Sequence, residues 1–239
     1  MFTIEAENLV KVYKADGVET PALRGVSLKV EQGEFISIVG PSGCGKSTLL
    51  NLLGTLDRPT SGRLFIDGVD TSKLNDGELA KLRNEKIGFV FQSFNLIPRM
   101  SAVMNVELPL LVRGIPKDER QERALRWLKE LGIAEKAHNR PSQLSGGEQQ
   151  RLTMARSLVT DPSILLGDEP TGNLDTKNTT MVIELLKKMN EATGKTFVII
   201  THDPDVANYT ERIIHLRDGL IEKEERPDPK NDTSPELTY

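Results

Sequence analysis

The chemistry most plainly written in this chain lies in Gly40-Pro41-Ser42-Gly43-Cys44-Gly45-Lys46-Ser47-Thr48. The spacing fits the pattern G-x-x-x-x-G-K-[ST]. Glycines at these positions let the backbone curl so that successive N–H groups face one point, where phosphate oxygens can sit. Lys46 is placed to reach β- and γ-phosphates, and Ser47 to offer its hydroxyl to a divalent cation such as Mg²⁺. The flanks matter as much as the motif. Phe35–Val39 reads as a short buried strand and Ser47–Leu53 as a helix, and a helix N-terminus adds partial positive charge at the loop. A glycine-rich turn matching by accident would have no need of that setting. The segment therefore predicts nucleoside triphosphate binding. Cys44, among inward-facing N–H groups, is expected to be a reactive thiol that bound nucleotide would protect; the alternative is a buried, inert side chain.

Two further apolar runs end in reactive residues. Ile164-Leu165-Leu166 passes through Gly167 into Asp168-Glu169, and Phe197-Val198-Ile199-Ile200 passes through Thr201 into His202-Asp203. Ligands of open parallel sheets bind beyond the carboxyl ends of the strands, so all three ends should converge. Beside a phosphate loop, Asp168 is suited to hold Mg²⁺. Glu169 is suited to act as general base on water. The alternative is a solvated acidic turn opened by Pro170. His202 could hold the γ-phosphate and the attacking water in line, although a histidine at a strand end is often structural. His138 lies in a loop, and His215 within a strand-like segment reads as packing.

Leu144-Ser145-Gly146-Gly147-Glu148-Gln149 opens another helix. Ser145 with Glu148 three residues on is a capping box. Capping does not require two glycines in a first turn, where they weaken a helix. Bare N–H groups at Gly146 and Gly147 would admit a second anion.

These residues must be positioned by a scaffold whose pattern is legible. Glu5–Tyr13, Leu23–Val30, Arg63–Ile66 and Ile87–Phe91 read as strands. Lys117–Leu131, Gly147–Val159 and Thr176–Thr193 read as helices, the first ended by Gly132 and the last by Gly194. Arg212–Leu216, Asp218-Gly219 and Leu220–Lys223 read as a closing hairpin. Alternating strands and helices in the last third predict a parallel sheet flanked by helices. The chain of 239 residues is 37% hydrophobic and 28% charged, which suits a globular domain. A net charge of −4 gives no basic footprint for nucleic acid. A single cysteine fits a reducing compartment. No apolar run approaches the ~20 residues needed to span a bilayer, and the N-terminus lacks a signal-peptide pattern. The expected location is cytoplasmic, with any membrane part supplied by another subunit. From Pro227 the chain is polar and proline-rich, and the tail 227–239 is expected to be disordered.

In that order, Gly40–Thr48, Gln92, Leu144–Gln149, Ile164–Glu169, Asn173-Leu174-Asp175 and His202 make the chain resemble the nucleotide-binding subunit of ABC transporters, over roughly residues 2–226. The resemblance implies an α/β fold of the phosphate-loop NTPase, RecA-like kind. It has a mostly parallel sheet core, an N-terminal antiparallel β subdomain and an α-helical subdomain inserted at about 93–158. It implies ATP and Mg²⁺ as ligands, with Glu169 as catalytic base and His202 as switch residue. Gln92 touches the metal and the attacking water, and Tyr13 stacks on adenine. Ser145 and Gly147 contact ATP held by a second copy of the chain, and Asp175 lies at that dimer interface. It also implies an integral membrane permease as partner, docked around Gln92 to Val112, where any single apolar residue could equally be subdomain core, at the cytoplasmic face of the membrane, and no nucleic acid. The segments Asn51–Gly62, Phe89–Pro98, Asn105–Leu110 and Asp168–Asp175 look like the subgroup serving lipoprotein release, macrolide export and antimicrobial-peptide export. A division-type ATPase of the same subgroup, transmitting force without transport, is the alternative. Gly167 and Glu148 stand where alanine and glutamine are commoner.

Overall fold

Four short runs of Ile, Leu, Val and Phe form the centre of the molecule, a computed structural model that describes residues 1–15 and 17–227. The tail expected beyond Pro227 lies outside the described residues. The runs are β3 (Phe35–Val39), β6 (Ile87–Phe91), β7 (Ile164–Asp168) and β8 (Thr196–Ile200). With β9 (Arg212–Arg217) and β10 (Leu220–Glu225) they make a sheet of order β10-β9-β3-β8-β7-β6. Every pairing in it is parallel except β9 with β10. Strands covered on both faces need apolar residues at every position. Side chains alternate between the faces: Phe35, Leu165, Phe197 and Ile199 enter one core, while Ile36, Ile38, Leu166, Val198 and Ile200 enter the other. The β9–β10 turn is closed by Asp218 and Gly219 at φ 48° and 77°, a pair of left-handed residues matched to the twist of a hairpin.

The second core lies between this sheet and an antiparallel one of order β2-β1-β4-β5, made of β1 (Phe2–Ala15), β2 (Val18–Glu31), β4 (Ser61–Ile66) and β5 (Val69–Asp70). Helix α1 (Lys46–Leu53) fills the space between them with Leu49, Leu50, Leu52 and Leu53. The first core is covered by α3 (Ala102–Val112), α4 (Lys117–Glu130), α5 (Gly146–Leu158) and α6 (Thr176–Thr193). Helix α6 turns Val182, Ile183, Leu186 and Met189 inward and stops at Gly194, whose φ is 61°, the left-handed ending that glycine adopts without cost.

Three helices have no counterpart in the sequence reading. Helix α2 (Asp76–Lys86) buries only Leu79, so it has no apolar stripe to read; a capping box between Asn75 and Glu78 starts it. Helix α3 has apolar residues almost all round and contains Pro109, and both features hide a helical period. A short α7 (Pro204–Ala207) follows His202.

Candidate nucleotide site

Parallel register brings the reactive ends together. Ile38 lies opposite Ile200, Ile200 opposite Asp168, and Asp168 opposite Phe91. The residues that follow these four therefore leave the sheet along one edge: the loop from Gly40, then His202, Glu169 and Gln92. A cleft of about 530 Å³ opens there, lined by Ser42, Gly43, Gly45, Lys46, Ser47 and Thr48 together with Ala22, Glu169 and His202.

The loop is held by close approaches that leave no room for side chains. A Cβ on Gly40 would lie 2.1 Å from the Leu216 carbonyl oxygen, and one on Gly45 would lie 2.5 Å from that of Ala22. No side chain caps the start of α1, so its first N–H groups remain for a ligand. Lys46 is nearly buried, and its Nζ donates to the carbonyls of Gly40 at 2.8 Å and Pro41 at 3.0 Å. Cys44 departs from expectation. Its side chain is 5% exposed and belongs to the core with Ile38 and Leu216. The thiol is shielded by packing in the protein itself, without nucleotide.

Ser47 Oγ lies 3.5 Å from Asp168 Oδ1. Burial, and then the neighbouring Glu169, push the Asp168 carboxyl above its ordinary pKa. A partly buried carboxylate with a hydroxyl in front of it and a second carboxylate beside it is short of positive charge, and a divalent cation would supply it. Among the described residues no three His, Cys, Asp or Glu side chains form a metal cluster of their own. The donor set thus fits Mg²⁺, whose other ligands are ordinarily phosphate oxygens and water. Glu169 has φ 45°, a left-handed conformation that costs a non-glycine residue about 1–3 kcal/mol. Its N–H donates to the Ile200 carbonyl at 3.0 Å, and its Oε1 is 3.0 Å from His202 Nδ1. The strained turn thus joins the ends of β7 and β8 into one carboxylate–imidazole pair.

The other expected site residues stand around this centre. Gln92 Nε2 donates to Asn173 Oδ1 at 3.4 Å, and Asn173 Nδ2 donates back to the Gln92 carbonyl at 2.9 Å. Ser145, Gly146 and Gly147 do not line the cleft. Ser145 caps α5 in the expected box with Glu148, whose N–H donates to Ser145 Oγ at 3.3 Å while Glu148 Oε2 accepts from the Ser145 N–H at 2.8 Å. These bonds hold the Glu148 carboxyl below its usual range. The two glycines differ. A Cβ on Gly147 would lie 2.4 Å from Asn178 Oδ1, whereas one on Gly146 meets nothing closer than Leu174 Cδ2 at 3.4 Å. Asp175 caps α6, accepting from Asn178 N at 2.8 Å. Tyr13 is exposed outside the cleft, its hydroxyl 3.3 Å from Asp57 Oδ2 and its ring beneath Lys11 Nζ. Sequence reading missed Ala22, whose carbonyl sets the position of Gly45; it starts this strand at Leu23, whereas β2 begins at Val18. It also gave no part to Asn173 or to Arg156, a charged residue in an otherwise apolar stretch of α5, which was the available signal.

A phosphate loop after a central parallel strand, with two carboxylates and a histidine on the same sheet edge, defines a nucleoside triphosphatase. The chain belongs to the ABC transporter family, whose sequence model matches residues 23–172. It is 51% identical over 227 residues to an ABC transporter ATP-binding protein of Methanocaldococcus jannaschii, covering 93% of this chain and 97% of that one. It is 49% identical over 226 residues to a macrolide export ATP-binding/permease protein of Syntrophobacter fumaroxidans, spanning 94% of this chain and 32% of that longer protein. Among solved structures, a dimeric ATP-binding cassette bound to ADP and Pi superimposes with a TM-score of 0.87 at 48% identity, covering 94% of this chain and 99% of its own. The protein is an ATP-hydrolysing cassette, with ATP as substrate and Mg²⁺ as cofactor.

Proposed function

We propose that two copies of this chain close on two ATP molecules and that the closure drives a membrane permease engaged in export or extraction. One observation carries the reading. The cleft holds the phosphate loop, Glu169 and His202, while the bare N–H groups at Gly146 and Gly147, behind the Ser145 cap, open on a helix outside it. Each half of the site is incomplete without the other half from a second copy.

Within this reading Lys46 and the loop N–H groups bind the phosphates, and Ser47, Asp168 and Gln92 hold the metal. Mg²⁺ when bound neutralises charge on the β- and γ-phosphates. Glu169 accepts the proton of the attacking water, and His202, already paired with Glu169, donates to the γ-phosphate. Tyr13 supports the adenine ring, and Asp175 joins the interface between copies. The helical stretch 93–158 acts as the subdomain that meets the permease, where Met104, Leu111 and Val112 of α3 stand exposed. Among the described residues no helix is long and apolar enough to cross a membrane. The place of work is the cytoplasmic face of the membrane, at the permease. Likeness to the macrolide export protein supports an export-type subgroup.

Glu169→Gln tests the reading, since it keeps shape and removes proton acceptance. Hydrolysis falls by at least ~10²-fold, and gel filtration shows a dimer with ATP and a monomer with ADP. Adding Ser145→Arg returns the protein to monomer while nucleotide still binds. A Glu169→Gln protein that stays monomeric at saturating ATP would refute the shared site.

A further inference from the structure

We propose that Arg156 is a positioning residue for Gln92: its guanidinium pins the loop after Gln92 and so ties the hydrolytic site to the helix that begins at Ser145. Arg156 Nη1 donates to the Asn95 carbonyl at 2.6 Å and Nη2 to the Phe94 carbonyl at 2.8 Å. Phe94 and Asn95 have φ 57° and 50°. Two successive left-handed residues are unusual, and for phenylalanine the conformation is costly; a tight local turn accompanies it, with the Asn95 N–H on the Ser93 carbonyl at 2.6 Å and the Phe94 N–H on the Phe91 carbonyl at 3.2 Å. Here the conformation aims adjacent carbonyls at the two terminal nitrogens of one planar guanidinium, each carbonyl on its own nitrogen. No ion pair among the described residues includes Arg156, and its charge is answered by those two carbonyls.

The loop is fastened on either side of this clamp. Asn173 holds the Gln92 carbonyl, and the buried Asn105 accepts from the Ile97 N–H at 2.7 Å. Between those points the Phe94 N–H reaches back to the Phe91 carbonyl of β6, and Arg156 ties the Phe94 and Asn95 carbonyls to α5. Its own place is fixed, because α5 lies directly on β6: a Cβ on Gly88 would come within 2.4 Å of the Ser157 carbonyl. Helix α5 therefore carries Ser145-Gly146-Gly147 at its start and the clamp on the Gln92 loop in its last turn. A displacement of that start is passed along a stiff helix about 20 Å long to the residue that faces the chain's own cleft edge. The inference rests on the proposed role of Gln92 at the metal and the water.

A double-mutant cycle of Gln92→Ala and Arg156→Gln tests it, reading turnover against Mg²⁺ concentration, with fluorescent-nucleotide affinity and thermal melting as controls. Arg156→Gln should lower turnover by ~10- to 100-fold, the cost of misplacing a group by about 1 Å. Nucleotide affinity should stay within ~2-fold, because Lys46 and its loop are untouched. Added to Gln92→Ala, it should cost nothing more, since residues acting as one unit are not additive. Arg156→Lys, able to reach one carbonyl, should fall between, and carries the cycle if the glutamine variant does not fold. Wild-type turnover in Arg156→Gln, or losses that multiply in the double variant, would overturn the proposal. Wild-type turnover in Gln92→Ala would instead remove the role of Gln92 on which it rests.

Discussion

Alanine at Gly146 and at Gly147 separates two reasons for a glycine pair. At Gly146 an added Cβ has ordinary contact, 3.4 Å from Leu174 Cδ2. Alanine there should stabilise α5 by up to about 1 kcal/mol, the difference in helix propensity, less whatever the first turn forgoes. At Gly147 the same gain is opposed. Its Cβ would lie 2.4 Å from Asn178 Oδ1, so the Asn178 side chain must swing away from Asp175, to which its Nδ2 donates at 3.0 Å. Losing that bond costs about 1 kcal/mol. The two variants should thus differ by about 1 kcal/mol, or roughly 2–4 °C in melting temperature for a chain of this size, with Gly147→Ala the lower. Hydrolysis should ignore this order. On the proposed shared site both methyl groups would stand where the γ-phosphate of the partner's ATP approaches bare N–H groups, so both variants should lose turnover although Gly146→Ala melts higher. Differential scanning calorimetry and steady-state phosphate release, run on the same preparations, read the two quantities. A Gly146→Ala protein that hydrolyses ATP like wild type would refute the anion role, and equal melting temperatures would refute the packing role of Gly147.

Gly167→Ala should destabilise by about 1–3 kcal/mol through overpacking, because its Cβ would lie 3.0 Å from Ile199 Cγ2; chemical denaturation should show the loss, and an unchanged midpoint would refute it. Asp168→Asn should abolish hydrolysis yet raise the melting temperature of the nucleotide-free protein at pH 7. The Asp168 pKa is raised on folding, so its ionisation costs stability above the folded pKa and nothing below the unfolded one; a lower melting temperature would contradict the sign. Cys44 should resist alkylation equally with and without Mg-ATP in native protein and react quickly in denaturant, since burial and not ligand shields it; protection by nucleotide alone would show that the thiol faces the cleft.

The sheet and its reactive edge were legible because parallel strands buried on both faces leave continuous apolar runs, and each run here ends in a residue that apolar packing cannot explain. Ile164–Leu166 announces Asp168 and Glu169 in this way, and Phe197–Ile200 announces His202. Helices with one apolar face, such as α6, were legible for the same reason. Helix α2 was not, since its single buried leucine leaves no period, nor was α3, whose apolar residues face every direction. Cys44 misled because its backbone and its side chain serve opposite sides: the N–H belongs to the loop and the thiol to the core. The clamp by Arg156 depends on two left-handed residues elsewhere in the chain, a coincidence of backbone shape that no spacing of residue types displays.

Strand β3 finds its partners late in the chain, with Phe35 opposite Phe197 and Ile36 opposite Arg212. On the ribosome, at about 5–20 residues per second, the strand and the leucine-rich helix behind its loop wait about 10–30 s for those partners to be made. Throughout that interval the phosphate loop has neither of the strands that flank it, and its apolar flanks are exposed to other nascent chains. Nucleotide cannot act as an early folding template here. It stabilises only what it binds, and the cradle comes into being when nearly the whole domain has emerged. What nucleotide can stabilise is therefore the finished domain and not an early intermediate of it.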